Sequence, residues 1–363
     1  MVRPSPQRLR RAALAALGLI AAVGTLASAP HAAAAGPVGV AARREVGRED
    51  AAAGPSASRG ATRPPARWVR VSVATLWVRP GEARAVDAPA GAYPADPRAW
   101  VEAMSTAQKR WLVGRLETQA LYGAKVYLLG AKGNWSHVAV TGQPTSRDRW
   151  GYPGWLPSRQ LTDVQPPAAE TVALVTQPTA WLYQAEELSG RVLEVSCGTR
   201  LPVVAAGDKA VEVQLVDGAH AFVRRAAVTL HQAGAAWPTP SGAQLVAQAR
   251  RFAGLEYLWA GTSGFCLDCS GFTHLVFRSF GVTIPRDADE QATVGTRVAT
   301  VAALRAGDLV FFRDASGAIH HVGLCVGGGK MIHAPATGSS VTTISLSTQP
   351  YRHEFACGRR LTP

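Results

Sequence analysis

Cysteine is scarce in this chain, with five in 363 residues. An odd number leaves at least one thiol unpaired. There is one Cys-x-x-Cys, Cys266 to Cys269, and no second such pair to complete a four-thiolate metal cage. Its Gly-rich flanks argue against a redox pair, and no metal or organic cofactor is expected. Acidic residues are also in short supply: 25 Asp and Glu face 38 Lys and Arg, leaving a formal charge of +13. A basic chain favours anionic surroundings. The arginines are scattered, however, with much of the excess in the first 70 residues, and no basic helix interleaved with aromatics is present. Nucleic acid is therefore not an expected partner. Beyond residue 26 no apolar run is long enough to span a bilayer. The 47% apolar content is enough for well-packed cores, and the length leaves room for two or three domains.

The first 35 residues read as a secretory signal. Arg3, Arg8, Arg10 and Arg11 form a positive leader, Ala12 to Leu26 an apolar stretch too short for a comfortable span, and Ala32 to Ala35 a set of small-residue cleavage sites. Cleavage is expected just before Gly36. No cysteine lies nearby to carry a lipid anchor. The protein is expected outside the membrane, secreted or associated with the wall. Residues 36–66 are rich in Ala, Gly, Arg, Pro and Ser without apolar periodicity, which is the composition of a linker.

Residues 67–165 open with alternation of Val69, Val71 and Val73 with Arg70 and Ser72. Asp96-Pro97 then begins a helix-compatible stretch to Leu116, with Trp100, Met104, Trp111 and Leu112 as its apolar positions. Gln119–Leu129 and Ser136–Val140 read as strands, and the Gly/Pro run from Gly151 to Pro157 closes the unit. Many short strands with such punctuation predict a small barrel carrying a helical insertion. Residues 168–232 repeat the pattern in five shorter runs, Leu182-Tyr183, Arg191–Val195, Leu201–Val204, Ala210–Leu215 and Ala221–Val223, predicting a second barrel. Residues 238–363 begin with an amphipathic helix over Gln244–Phe252 and continue as a mixed unit, so the chain as a whole is α+β.

The chemistry concentrates in that last unit. In Gly254–Thr273 a Gly-rich aromatic loop runs into Asp268-Cys269-Ser270-Gly271, and a helix follows. A cysteine at a helix start meets free first-turn N–H groups and the positive end of the dipole, both of which favour the thiolate. Asp268 and Ser270 are residue types that cap such a start. A nucleophilic cysteine also needs a base, and the base an orienting partner. His320-His321-Val322-Gly323 and Ile332-His333-Ala334-Pro335 head and end two apolar strands joined by the turn Gly327–Gly329. Cys269 is thus the expected nucleophile, His321 the base and acid, and His333 the group that fixes the tautomer of His321. Register decides between His320 and His321, and the following Val-Gly favours His321. Cys197, Cys266, Cys325 and Cys357 are left to pair or to fill the core.

In this order Tyr257-x-Trp259, Asp268-Cys269-Ser270-Gly271, Gly307-Asp308-Leu309, His321-Val322-Gly323 and Ile332-His333-Ala334-Pro335 resemble the motifs of the NlpC-type cell-wall cysteine peptidases, a papain-like bacterial family. Thr118-Gln119-x-Leu121-Tyr122-Gly123, Gly151–Trp155 and Tyr257–Phe265 are further similar to the γ-D-glutamyl-L-diamino-acid endopeptidase (dipeptidyl-peptidase VI) subgroup, in which two SH3-like barrels precede the catalytic domain. That resemblance implies hydrolysis of the γ-D-glutamyl to diamino-acid bond of peptidoglycan stem peptides that have a free N-terminal L-Ala. It also implies site residues. Tyr152 would block the groove, Glu117 and Asp287 would accept from the substrate ammonium, and Arg286 and Ser270 would hold the carboxylate of the γ-D-Glu. Tyr257 would donate to the oxyanion, and Asp268 and Trp259 would line the site. Ala288 replaces the serine usual after the aspartate, removing one polar contact. A monomer acting on wall-derived peptides is expected, and a basic exterior suits the anionic wall. The alternative is a less selective wall hydrolase whose barrels bind the wall.

Overall fold

The computed structural model describes residues 62–362. The expected signal, its cleavage site and the linker up to residue 61 lie outside the described residues. Among the described residues no helix is long and apolar enough to cross a membrane.

The first barrel is one antiparallel sheet of β1 (Ala66–Val69), β2 (Val73–Trp77), β3 (Leu116–Leu121), β4 (Lys125–Lys132), β5 (Trp135–Val140), β6 (Tyr152–Pro157) and β7 (Leu161–Thr162), in the order β3-β2-β6-β5-β4-β1-β7. Val69, Val71, Leu76, Val126, Val138 and Leu156 form its core. The expected strand over Gln119–Leu129 is two strands, because Gly123 takes a φ of 72° and turns the chain between them. The Gly/Pro run is itself a strand, β6.

The helical insertion is also divided. It consists of α1 (Ala88–Gly91), α2 (Pro97–Ala103) and α3 (Thr106–Trp111) rather than one helix to Leu116. Asp96 caps α2 as its sequence suggests, Oδ1 accepting from the Ala99 N–H at 2.9 Å. Met104 then turns extended, and Ser105 opens α3 with a capping box in which the Gln108 side chain accepts from the Ser105 N–H at 2.8 Å. Trp100, Met104 and Leu112 are buried with Trp77 against Leu258, Ala260 and Cys266 of the last unit.

The second barrel comprises β8 (Thr171–Val175), β9 (Thr179–Tyr183), β10 (Arg191–Ser196), β11 (Arg200–Ala206), β12 (Ala210–Gln214), β13 (His220–Arg224) and β14 (Val228–Gln232), in the order β10-β9-β13-β12-β11-β8-β14. Counted from its own first strand, this is the order of the first barrel, so the repeat is topological even though few residues match. Its first and last strands, β8 and β14, pair with each other and were not among the five runs read from sequence.

The last unit begins with α4 (Gly242–Arg250) and continues through the short hairpin β15 (Thr262–Ser263) and β16 (Cys266–Leu267) to α5 (Cys269–Arg278) and α6 (Ala288–Gln291). A sheet ordered β17-β22-β18-β19-β20-β21 follows, formed by β17 (Thr296–Val298), β18 (Leu309–Arg313), β19 (Ile319–Gly327), β20 (Lys330–His333), β21 (Thr342–Ser345) and β22 (Phe355–Arg360), with α7 (Tyr351–Glu354) before its last strand. Phe272, Leu275 and Val276 of α5 share one core with Phe311, Val322 and Leu324 of the sheet. The architecture is α+β behind two all-β barrels.

The three units share surfaces rather than a flexible junction. Lys109 reaches Glu256 at 2.6 Å, Gln119 Oε1 accepts from the Thr262 N–H at 2.9 Å, and Trp259 Nε1 donates to the Leu116 carbonyl at 3.1 Å. On the second barrel, the Ser196 hydroxyl accepts from the Gly264 N–H at 2.9 Å. A Cβ at Gly264 would lie 1.6 Å from the Pro178 carbonyl oxygen, so only glycine lets the two backbones meet. Gly264→Ala is accordingly expected to destabilise the folded chain by about 1–3 kcal/mol, read as a lower urea midpoint; an unchanged midpoint would show that this docking is loose.

Candidate active site

Cys269 is the first residue of α5. The helix starts there because the Asp268 side chain caps it, Oδ1 accepting from the Gly271 N–H at 2.6 Å. The backbone N–H groups of Ser270, in the same first turn, and of Val322, on β19, act to favour the Cys269 thiolate. Cys269 is partly open, whereas Cys197, Cys266, Cys325 and Cys357 are buried, and all five thiols are free. The expectation of a favoured thiolate is corrected here. Burial pushes the Cys269 thiol up to about 12, and the charge of Asp268 pushes the same way, outweighing the two N–H groups and Arg286.

His321 and His333 lie on adjacent antiparallel strands, with His321 Nε2 2.8 Å from His333 Nδ1. The pairing of β18 with β19 slips at His320, where Phe312 faces His321 and Arg313 faces Ile319. That irregularity sends His320 outward to Glu354 at 3.1 Å and turns His321 inward. The two imidazoles come close because Gly323 lies beneath them; a Cβ there would sit 3.2 Å from the His333 Cβ. Burial drives both rings neutral. His321 is lowered well below its ordinary value, with the charges of His333 and His320 adding to the effect, and His333 falls to about 4. Burial thus disfavours charge on the thiol and on both imidazoles alike. In the tautomer that carries hydrogen on His321 Nε2, that N–H donates to His333 Nδ1 and leaves His321 Nδ1 able to accept a proton.

Tyr351, which sequence reading missed, packs edge-on against His333 at 5.1 Å and lies 5.8 Å from His321. Nothing local to its Pro350-Tyr351-Arg352 setting announces that role. Tyr257 is buried, and the Cys269 and Asp268 charges help burial raise its hydroxyl pKa, which places the ring beside the nucleophile. Trp259 is 38% exposed at the mouth.

The wall beyond the nucleophile is ionic. Arg286 is 1% exposed and saturates its neighbours, with Nη1 and Nη2 on the two Asp268 oxygens at 3.1 and 2.7 Å, Nη1 on Ser270 Oγ at 2.9 Å and Nε on Thr118 Oγ1 at 2.9 Å. Direct contact of Arg286 or Ser270 with a substrate carboxylate, as the resemblance implies, would require them to leave these partners. Further along, Tyr152 donates to Asp287 Oδ2 at 2.8 Å and accepts from Arg147 Nη1 at 2.8 Å. Arg147 in turn grips both oxygens of Glu117, at 2.5 and 2.8 Å. Glu117, which the resemblance assigns to the substrate ammonium, is thus paired with Arg147. Arg147 was not anticipated, since Ser146-Arg147-Asp148-Arg149 resembles any solvated loop. That loop is tied to the catalytic unit by Thr145 and Ser146, which donate to Glu290 at 3.2 and 2.6 Å. The structure thus gathers Glu117, Tyr152 and Asp287 into one network through Arg147, pairs His321 with His333, and joins Asp268, Ser270 and Arg286 at the start of the helix that carries Cys269. Ala288 opens α6 directly after Asp287.

A cysteine at the start of a helix packed on the sheet, with an imidazole pair on two adjacent strands of that sheet, defines the class as papain-like cysteine peptidases. Residues 254–360 match the model of the NlpC/P60 family and residues 175–231 that of the YKFC SH3b2 domain. A γ-D-glutamyl-L-lysine dipeptidyl-peptidase of Bacillus cereus (strain ATCC 10987 / NRS 248) is 42% identical over 303 residues, covering 82% of this chain and 91% of the relative. One of Bacillus subtilis (strain 168) is 36% identical, covering 80% and 96%. The crystal structure of an NlpC/P60 family protein from Bacillus cereus ATCC 10987 superimposes with a TM-score of 0.77 at 41% identity, over 82% of this chain and all of that one. The chain belongs to the NlpC/P60 family of cysteine peptidases.

Two outcomes follow from the site's electrostatics. Arg286→Met would leave Asp268 buried without its cation and should cost about 3–5 kcal/mol in urea unfolding; a loss under 1 kcal/mol would show that Asp268 is solvated. His274 (about 3), His333 (about 4) and His321 all have depressed values in the fold, whereas the unfolded chain protonates near pH 6.5. The unfolded state therefore binds the extra protons below that pH. Stability should be full above about pH 6.5 and fall by about 1.4 kcal/mol per pH unit for each such imidazole as the solution is acidified toward pH 4–5. Urea titrations at pH 7.5, 6 and 5 check the slope.

Proposed function

We propose that the protein is an exported endopeptidase that hydrolyses the γ-D-glutamyl to diamino-acid bond of peptidoglycan stem peptides whose N-terminal L-Ala is free. The observation that carries this reading is the chain of contacts from Glu117 through Arg147 and Tyr152 to Asp287, whose neighbour Arg286 is bonded to Asp268 beside Cys269. The relatives named for γ-D-glutamyl-L-lysine dipeptidyl-peptidase activity support the bond type.

In this reading the substrate ammonium exchanges with the Arg147 guanidinium on Glu117 and reaches Asp287, while Tyr152 closes the groove to anything longer. Charge-assisted hydrogen bonds of this kind are about twice as strong as neutral ones. Cys269 Sγ attacks the γ-carbonyl carbon as its proton passes to His321 Nδ1. The oxyanion takes a hydrogen bond from Tyr257. Collapse breaks the C–N bond, and His321 returns the proton to the leaving α-amine of the diamino acid, either diaminopimelate or Lys. Water then attacks the thioester with His321 as base, releasing L-Ala-γ-D-Glu and the thiol. His333 accepts from His321 Nε2–H and stabilises the transient imidazolium. Asp268, Ser270 and Arg286 position the nucleophile's helix and the neighbouring wall, with Trp259 at the mouth. No cofactor takes part.

The test is mass spectrometry of two defined substrates, the free tripeptide L-Ala-γ-D-Glu-diamino acid and the same peptide acylated on L-Ala by a muramyl group. The free peptide should release L-Ala-γ-D-Glu, the acylated one should react about 10²-fold more slowly or worse, and Cys269→Ala should cleave neither. Equal cleavage of both would overturn the selectivity and favour a general wall hydrolase; cleavage by Cys269→Ala would overturn the peptidase mechanism.

A further inference from the structure

A cavity of about 250 Å³ lies where the two barrels meet the catalytic unit, and Cys269, His321 and His333 are not among its lining residues. The first barrel contributes Lys125 and Gly142, the second Arg200, and the catalytic unit His274, Arg278 and Thr283. None of the residues lining it is acidic.

Among the described residues no carboxylate pairs with any of the three cations that line this space. Arg278 is half-buried; its Nε donates to the Gly198 carbonyl at 3.1 Å, and among the described residues its two terminal amino groups have no acceptor. A Cβ at Gly142 would lie 2.9 Å from Arg278 Nη1, so the first barrel backs the guanidinium directly. Arg200 and Lys125 are held by rings rather than carboxylates, over Trp237 at 5.3 Å and over Tyr127 at 5.2 Å. His274 lines the same cavity, and its Nε2 is buried with no hydrogen-bond partner. Burial and the nearby Arg200 charge lower Arg278 to about 10, the direction expected when like charges are gathered without an anion. Lys125 and Arg278 are half-buried and Arg200 is exposed; cations taken partly out of water are ordinarily paired, and three cations drawn from three domains around one unfilled space have the composition of an oxyanion site.

We propose that this inter-domain cavity binds a phosphate-class oxyanion, with Arg278, Arg200 and Lys125 as its cationic ligands. Several positive groups around one space favour a dianion over a single carboxylate. Occupancy would join one cation from each unit. Because His274 and Arg278 lie on α5, the helix that begins with Cys269, the bound anion would also hold the nucleophile's helix against both barrels. Either free inorganic phosphate or a phosphate carried on a wall polymer meets this chemistry.

The full chain is tested by titration calorimetry and thermal unfolding, with inorganic phosphate in one arm and a short poly(glycerol phosphate) in the other. Sodium chloride of equal ionic strength is the control. Saturable binding is expected in at least one arm, with the unfolding midpoint raised by about 2–4 °C or more over chloride. Arg278→Gln and Lys125→Gln should each weaken binding about tenfold or more, and Lys125→Gln should keep its hydrolytic rate in phosphate-free buffer. Binding of inorganic phosphate identifies a free-anion site, and binding of the polymer alone identifies a wall-derived one. Absence of binding in both arms, or a rise no larger than that in chloride, would overturn the proposal. So would binding that survives Lys125→Gln unchanged, a variant whose side chain no barrel core depends on.

Discussion

The ion pair between Asp268 and Arg286 is the interaction on which the rest of the site depends. Asp268 does two jobs with one carboxylate: it caps the helix that presents Cys269, and it receives both terminal nitrogens of a buried guanidinium. Arg286 in turn donates to Thr118 on the first barrel. The start of the nucleophile's helix, the inner wall of the cleft and the seating of the neighbouring barrel are thus set by one set of hydrogen bonds. Buried pairs of this kind add little net stability over a well-packed apolar alternative, and breaking one is costly. The return is geometric: the first turn of α5 has one position, and so does the sulfur.

Around that pair the cleft is divided electrostatically. At one end lie Cys269 and the His321–His333 pair, where burial favours the neutral form of the imidazoles and of the thiol. At the other, Glu117, Arg147, Tyr152 and Asp287 form a charged chain open to water on its Arg147 side. The neutral end suits proton shuttling, since neither the sulfur nor the base starts with a charge to be desolvated. The charged end suits recognition of a cation. Asp287, whose carboxyl burial raises even against Arg286 and Tyr152, gains most from a new positive neighbour.

Much of this was legible in the residues. Asp268-Cys269-Ser270-Gly271 states a capped helix start in four letters, and two histidines flanking a Gly-rich turn predict neighbouring strands. The repeat of barrels was readable from turn spacing although their residues differ, because strand order follows the alternation of apolar positions and the lengths between turns. Local reading failed where a competing local signal was overlooked, as at Ser105, whose capping box with Gln108 outbid continuation of the preceding helix. It failed more deeply where the deciding partner is remote in sequence. Arg147 meets Glu117 across 30 residues, and Arg286 meets Thr118 across 168. The direction of the Cys269 shift was misread partly for the same reason, since its burial depends on packing that is remote in sequence, and partly because the charge of the adjacent Asp268 raises the thiol as well.

The sharing of side chains across domain borders has a consequence for how such a protein can be rebuilt. Wall-directed enzymes are often thought of as beads on a string, with a cutting module and anchoring modules exchangeable in any combination. Here Thr118 and Gln119 of the first barrel finish the polar bonding of Arg286 and Thr262 in the cutting module. A graft that carried the cutting module alone would arrive with unmet hydrogen-bonding groups and a wall missing from its groove. Only the three pieces transferred together would make a working unit.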